Sequence, residues 1–370
     1  MITIQSVARL QRAFPDGMQN YCTAKISEGE IIVRRMYFHP GKGPLIPIPE
    51  HFTAVQCVNN EICTDSVTII SKNLTNRLEY IALRLLQAAL TVLPRPLALF
   101  LGGVAGMIMY RTGIYRSTVS VNMNHVALWD PDTARKITRE LYSNMGKYTV
   151  DFLRSPYPLP PYRVHGYKEI EPLFSQGKGT VVILGHIGNW ELLATVFGKM
   201  TGKLNVIAKP MRNPLVDRWL LDKRNASSVT TIYSAQALRR MMSVLKKDGI
   251  VAILIDQYMR QHGSAVPFLG KEAMTVSTAA GIALKTGCNV ISVEAILSSD
   301  GSYDITVLPA PHEEMPDMTD EQRVLRLQTI HNDIISRQIM AHPSHWFGWF
   351  HRRFRNVVDY SASRSRKRRG

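Results

Sequence analysis

Cysteine is scarce in this chain, with Cys22, Cys57, Cys63 and Cys288 the only four in 370 residues. They form no Cys-x-x-Cys pair and no dense pattern, which argues for a reducing compartment without a structural zinc; a Cys57–Cys63 bridge is the disfavoured alternative. No basic start runs into an apolar core and a small-residue cleavage site, so a secretory leader is not expected. No uninterrupted apolar run reaches the roughly 20 residues of a spanning helix. Acidic residues are also few, 29 against 45 Lys and Arg, for a formal net charge of +16. That balance favours anionic partners, whether phospholipid headgroups, phosphorylated substrates or nucleic acid, and charge alone does not choose among them.

Apolar residues make up 45% of the chain and charged residues 20%, an ordinary globular balance that excludes bulk disorder. The length allows one large domain or two. Met1 to Ser71 holds Pro15, Pro40, Pro44, Pro47 and Pro49 with short β-like runs at Ile31–Val33 and Val67–Ile70, and carries no assignable chemistry. From Leu74 to Gly113 the chain turns apolar, with Leu83 to Leu93, then Pro94-Arg95-Pro96, then Leu97 to Met109. The Pro-Arg-Pro insertion splits this stretch into two short helices. Flanking Arg77, Arg84, Arg95, Arg111 and Arg116 suit helices that dip into one leaflet of an anionic membrane, and ordinary core helices are the alternative.

A helical pattern from Thr133 to Leu153 ends at the proline-rich loop Ser155 to Pro161. Beyond it, strands are predicted at Thr180–Leu184, Leu204–Ala208, Ile250–Ile255, Asn289–Val293 and Ile305–Leu308, alternating with amphipathic helices. That alternation predicts an α/β sheet with helices on its faces.

Within it, Gly185-His186-Ile-Gly-Asn-Trp-Glu191 follows a buried strand. On a regular helix positions five apart lie about 140° around the axis, so His186 belongs on the turn leaving the strand. Gly188 would supply unusual backbone angles, and Asn189 would cap the helix carrying Glu191. A carboxylate there is expected to accept from one ring nitrogen, leaving the other to take a proton from a hydroxyl, while the helix start offers amides to an oxyanion. Asp256 and Gln257 fall at the carboxyl end of another buried strand, the edge of an α/β sheet where ligands bind.

The His186 to Glu191 block resembles the histidine, four residues, acid motif of the lysophospholipid acyltransferase superfamily, in the form seen in bacterial lipid A late acyltransferases. Lys209-Pro-Met-Arg212-Asn213-Pro214 resembles that family's second block, with Lys209 where an arginine is usual, a point charge in place of a fork. Arg224, Asp256-Gln257, the Phe268-Leu-Gly270 to Thr275 block and the ending Trp346 to Phe354 are similar to later family blocks, so the resemblance runs from about Leu74 to Phe354.

The resemblance implies a glycerol-3-phosphate acyltransferase-like α/β fold in which His186 acts as general base supported by Glu191. Lys209, Arg212, Asn213, Asp256 and Gln257 would contact substrate, Arg224 would hold an acceptor phosphate, and Phe268 and Gly270 would shape the acyl groove. It implies a fatty acyl donor on acyl carrier protein or coenzyme A, a phosphorylated glycolipid acceptor of the lipid A precursor kind, and the cytoplasmic face of the inner membrane. No metal or other cofactor is expected. The phosphatidylinositol mannoside acyltransferases are the runner-up.

The expected layout is an unassigned extension over 1–71, membrane-associating helices over 72–113, the acyltransferase domain over 114–354 and a basic tail over 355–370. The Trp346 to Phe354 segment suits either a lipid interface or a strap pinned to the core. The run Arg364 to Arg369 is expected to be a disordered tail drawn to anionic lipid, and without a stacking motif nucleic acid is not an expected partner. A non-catalytic basic binding protein would leave the His186 motif without purpose. A metallohydrolase using His186, Glu191 and Asp256 would want a second histidine at ligand spacing.

Overall fold

The computed structural model describes residues 73–155, 158–233, 237–260, 263–310 and 315–361, with the backbone of a helix from Ser66 and of four two-residue strands ahead of it. The expectations for Cys22, Cys57, Cys63 and the Arg364 to Arg369 run concern residues outside that set. Two compact units divide the chain, Met1–Ile81 and Ala82–Gly370, and the border falls inside the first long helix. In the first unit, Ile26–Ser27 pairs with Glu30–Ile31 and Cys57–Val58 with Glu61–Ile62, both antiparallel. Val67 to Ile70, expected as a β-like run, is helical and opens α1 (Ser66–Val92). The β preference of branched residues is weak and gives way where a longer helical pattern continues through them.

In the second unit, α1 stops before Pro94, which stands as N-cap of α2 (Arg95–Arg111), with Pro96 also in the first turn where a missing N–H costs nothing. The predicted break is present. After α3 (Arg116–Val126), α4 (Pro131–Arg154) starts at Asp130, whose carboxylate accepts from the Asp132 and Thr133 amides. The backbones of α2 and α4 touch: a Cβ on Gly106 would lie 1.9 Å from the Tyr142 carbonyl oxygen, and one on Gly146 would lie 1.8 Å from that of Gly102. On the other side α2 leaves Leu97, Phe100, Leu101, Val104 and Ile108 exposed. Among the described residues no single helix is long and apolar enough to cross a membrane, although α2 and α3, bent by 83°, pass that test as a pair.

The remaining strands are β1 (Tyr162–His165), β2 (Thr180–Leu184), β3 (Leu204–Ala208), β4 (Val229–Tyr233), β5 (Ile250–Leu254), β6 (Gly263–Phe268), β7 (Lys271–Val276), β8 (Asn289–Leu297) and β9 (Tyr303–Pro309). Between and after them come α5 (Tyr167–Ile170), α6 (Trp190–Thr201), α7 (Pro214–Asn225), α8 (Ala237–Leu245), α9 (Thr278–Thr286) and α10 (Asp320–Ala341). All five predicted strands are present, and the last two run longer than their apolar cores. Seven strands form one sheet in the order β1-β9-β8-β2-β5-β3-β4, while β6 and β7 make a separate antiparallel hairpin. Every pairing in the large sheet is parallel except β8 with β9.

Strand β2 is buried along its whole length, so both its faces are apolar. Val182 and Leu184 enter the cluster beneath α6, while Val181 and Ile183 enter the opposite one with Phe268, Ile335, Trp346 and Phe354. The sheet is thereby covered on both sides, and its carboxyl edge is left for chemistry.

Candidate active site

β2 and β5 are parallel neighbours with Leu184 opposite Leu254, and each runs out at the carboxyl edge into a polar residue, His186 after β2 and Asp256 after β5. The Asp256 carboxylate meets His186 twice. Oδ2 accepts the His186 backbone N–H at 2.7 Å and Oδ1 pairs with the imidazole Nδ1 at 2.7 Å. A third donor arrives from the C-terminal segment, the indole Nε1 of Trp346 at 2.7 Å from Oδ2. An ionised carboxylate only accepts, so Nδ1 carries the proton and Nε2 presents a lone pair. The Gln257 amide lies 3.4 Å from that Nε2.

The electrostatics follow the geometry. Burial opposes the charged imidazolium, but Asp256 outweighs it and holds His186 above its ordinary pKa, with a smaller push from Glu191. Burial likewise raises Asp256, yet the imidazole and the N–H donors bring it well below the usual carboxylate range. His351, whose ring centroid is 6.3 Å from that of His186, is pushed down by burial and by His186 itself.

The turn is fixed from several sides. Gly188 has φ 62°, and a Cβ there would lie 1.9 Å from the Ala295 carbonyl oxygen, so the position demands glycine. The Gly188 N–H donates to the His345 carbonyl, the Phe347 N–H to the His186 carbonyl and the Asn189 N–H to that of Ala295. Asn189 caps α6 as expected, accepting from the Leu192 amide at 3.0 Å.

Glu191 does not orient the histidine. Its carboxylate is held by the Arg224 guanidinium at 2.5 and 3.2 Å, while Asp256 takes the place at Nδ1 expected for Glu191. On the helix, Glu191 points toward α7; the sheet supplies the nearer carboxylate. The Arg224 guanidinium, expected to hold an acceptor phosphate, thus meets Glu191 through Nε and Nη2, and its Nη1 is 3.3 Å from the Thr231 hydroxyl.

Asn213 is buried and caps α7, accepting from the Leu215 and Val216 amides. Lys209 and Arg212 are exposed on the loop that leaves β3 at the same carboxyl edge as His186. Phe268 and Gly270, expected to shape the acyl groove, do not line the cleft between α6 and the sheet: Phe268 is buried with its ring centroid 5.5 Å from Trp346, on the far face of the sheet, and Gly270 makes the β6–β7 turn at φ 73°.

The groove lies on the near face. A narrow apolar cleft runs between α6 and the sheet. Val182, Leu184, Val206, Ala252 and Leu254 form its floor, and Ala194 and Phe197 part of its wall. Trp190, whose ring centroid is 4.9 Å from that of His186, lines it, as does the Glu191–Arg224 pair. Sequence reasoning missed Trp346, which it read as interface or packing. Its signal is an indole fully buried beside a strand-end aspartate, and an indole N–H in such a place needs an acceptor.

Among the described residues no three His, Cys, Asp or Glu side chains converge in a way that could hold a metal ion. Residues 72–356 match the family model of the bacterial lipid A biosynthesis acyltransferases, and the chain belongs to that family, within the lysophospholipid-type acyltransferase superfamily. Phosphatidylinositol mannoside acyltransferases of Mycobacterium tuberculosis, from strains CDC 1551 / Oshkosh and ATCC 25618 / H37Rv, are each 20% identical over 187 residues, covering 50% of this chain and 57% of the relative. The chain thus spans little more than half the length of these curated relatives.

Proposed function

We propose that the protein moves a fatty acyl group from a thioester of acyl carrier protein or coenzyme A to a hydroxyl of a phosphorylated glycolipid, of the lipid A precursor kind, at the cytoplasmic face of the inner membrane. The reading is carried by the one-sided imidazole: His186 is bound through Nδ1 to a buried carboxylate, and its ring lies against Trp190, which lines an apolar cleft. A base with a fixed tautomer next to a slot for hydrocarbon is what acyl transfer to a hydroxyl requires. This arrangement supports a glycerol-3-phosphate acyltransferase-like fold.

In the proposed reaction Nε2 takes the proton of the acceptor hydroxyl as its oxygen attacks the thioester carbonyl. The tetrahedral oxyanion is held by first-turn amides of α6, those of Trp190 and Glu191. Collapse breaks the carbon–sulfur bond, and the leaving thiolate recovers the proton from the imidazolium. Lys209 and Arg212, exposed at the same edge, would meet an anionic headgroup. The exposed apolar side of α2, with Arg111 and Arg116 at its end, supports seating on an anionic bilayer.

The test is a transfer assay with full-length protein, C12 to C16 thioesters, and vesicles carrying either a lipid A precursor or a phosphatidylinositol mannoside. Thiol release that depends on the lipid A precursor, with the matching mass gain on it, is the expected result. Release at the same rate without any glycolipid would make the protein a thioesterase, and transfer confined to the mannoside would favour the second acceptor class, to which the two relatives belong by name.

The cleft makes its own prediction. Ala194→Phe places a ring among Val206, Ala252 and Leu254, in the space a long acyl chain would take. Transfer of a C14 acyl group should fall roughly ten- to hundredfold, with transfer of a C6 group nearly unchanged. Equal losses across C6 to C16 donors would remove the acyl chain from this cleft.

A further inference from the structure

Arg95 lies at the elbow between α1 and α2, but its side chain turns inward. Its Nε and Nη2 donate to the two carboxylate oxygens of Asp151 on α4 at 2.9 and 2.7 Å, and Nη1 donates to the Gly301 carbonyl at 2.5 Å. Asp151 is 4% exposed. It also accepts the phenol hydroxyl of Tyr303 at 2.8 Å, and that phenol in turn accepts from the side-chain amide of Asn189 at 3.2 Å. Asn189 caps the helix that follows the catalytic turn, three residues from His186. The guanidinium also lies 5.9 Å from the Tyr303 ring centroid.

Each link has one possible sense. Asp151 can only accept, so the Tyr303 proton goes to it; the phenol oxygen then faces the Asn189 NH₂ group, which leaves the Asn189 Oδ1 for the Leu192 amide. Burial and the neighbouring Asp151 push the Tyr303 hydroxyl well above its ordinary pKa, so the donor stays protonated. Tyr303 and Asn189 are buried, and no part of this chain of bonds is shared with the acyl cleft. Helix α4 serves the other flank of the turn as well, since Asn144 donates to the Ser344 carbonyl and Tyr148 bonds His345, whose own carbonyl receives the Gly188 N–H.

We propose that Arg95 is a positioning residue for acyl transfer, acting through Asp151, Tyr303 and Asn189 to set the turn that carries His186. The inference rests on His186 being the catalytic base. It ties the elbow of the apolar helices to the chemistry: a shift at the start of α2 reaches the N-cap of α6 through buried, directional bonds and not through packing alone.

The decisive variants are Tyr303→Phe, which keeps the ring and the Arg95–Asp151 pair and removes only the hydroxyl that joins Asp151 to Asn189, and Arg95→Lys, which keeps the charge and loses the fork. Each is measured by steady-state kinetics across pH and by NMR titration of the His186 imidazole, which needs no turnover. His186 titrates among Asp256 from the end of β5, Glu191 on α6 and His351 from the C-terminal segment, so a displaced turn weakens its strongest partner and lowers its pKa.

The expected result for each variant is a roughly three- to tenfold lower kcat, KM within about twofold, and a downward-shifted His186 titration. The double variant should be no worse than the poorer single one, because both act on one chain of contacts. An unchanged His186 titration in Tyr303→Phe, or losses that multiply in the double variant, would overturn the proposal. If Arg95→Lys does not fold, Tyr303→Phe decides alone. A parent protein without acyl transfer would defeat the reaction reading separately, and the titration would still decide for or against the relay.

Discussion

His186→Ala is expected to remove acyl transfer from thioester to glycolipid by a factor of about 10² to 10⁴, the usual cost of losing a general base. The loss should fall on kcat, since the cleft and the exposed cations proposed to bind the two substrates remain. The protein should stay folded. Asp256 loses the Nδ1 partner but keeps the His186 backbone N–H and the Trp346 indole, so the buried carboxylate is still bonded twice. Loss of one charged hydrogen bond costs about 1–3 kcal/mol against a domain stability of about 5–15 kcal/mol. The measurement is acceptor-dependent thiol release beside a thermal melt of both proteins; near-parent turnover in a folded variant would reject His186 as the base.

Much of this site was legible from local pattern. The strand before His186, the glycine the turn demands, the asparagine cap and the polar end of β5 all follow from short-range rules that act on consecutive residues. What was not legible is lateral. Asp256 is 70 residues from His186 and reaches it because β5 lies beside β2, an order set by how the parallel strands pack and not by any spacing in the chain.

Glu191 shows the converse. Five residues from His186 it looked like the partner, but the helix carries it round toward α7, where Arg224 claims it. Two apolar strands that each run out in a polar residue at the carboxyl edge were the available hint. Trp346 was hidden for another reason, because a tryptophan beside arginines reads equally as an interface residue until the strap carrying it is seen to cross beneath the turn. Val67 to Ile70 went astray through propensity alone.

The last expectation concerns Asp256→Asn, which changes one atom type and should be nearly as damaging as removing the histidine. The carboxylate accepts two N–H donors at Oδ2 and one at Oδ1, whereas an amide accepts at one atom only. The oxygen of Asn will face the two donors, the His186 backbone and Trp346, which turns its NH₂ toward Nδ1. Nδ1 must then accept, the ring proton moves to Nε2, and the lone pair that takes the hydroxyl proton is gone. The corresponding change in the serine protease triad lowers kcat about 10⁴-fold for this reason, and a loss of that order is expected here.

The pH dependence carries the sign. In the parent, Asp256 holds the His186 pKa up, so activity rises with pH as the imidazole deprotonates above its ordinary value near about 6.5. Without the charge, burial is the larger influence and the acid limb should move to lower pH. Stability should follow. The raised histidine contributes below about pH 6.5 and loses its contribution as pH rises through its folded value, while the depressed aspartate contributes above about pH 4 and loses it as pH falls. The melting temperature of the parent should therefore exceed that of Asp256→Asn most between about pH 4 and 6.5 and less at pH 9. A variant with parent-like kcat and an unmoved acid limb would show that the His186–Asp256 contact is packing and that the histidine is oriented by something else.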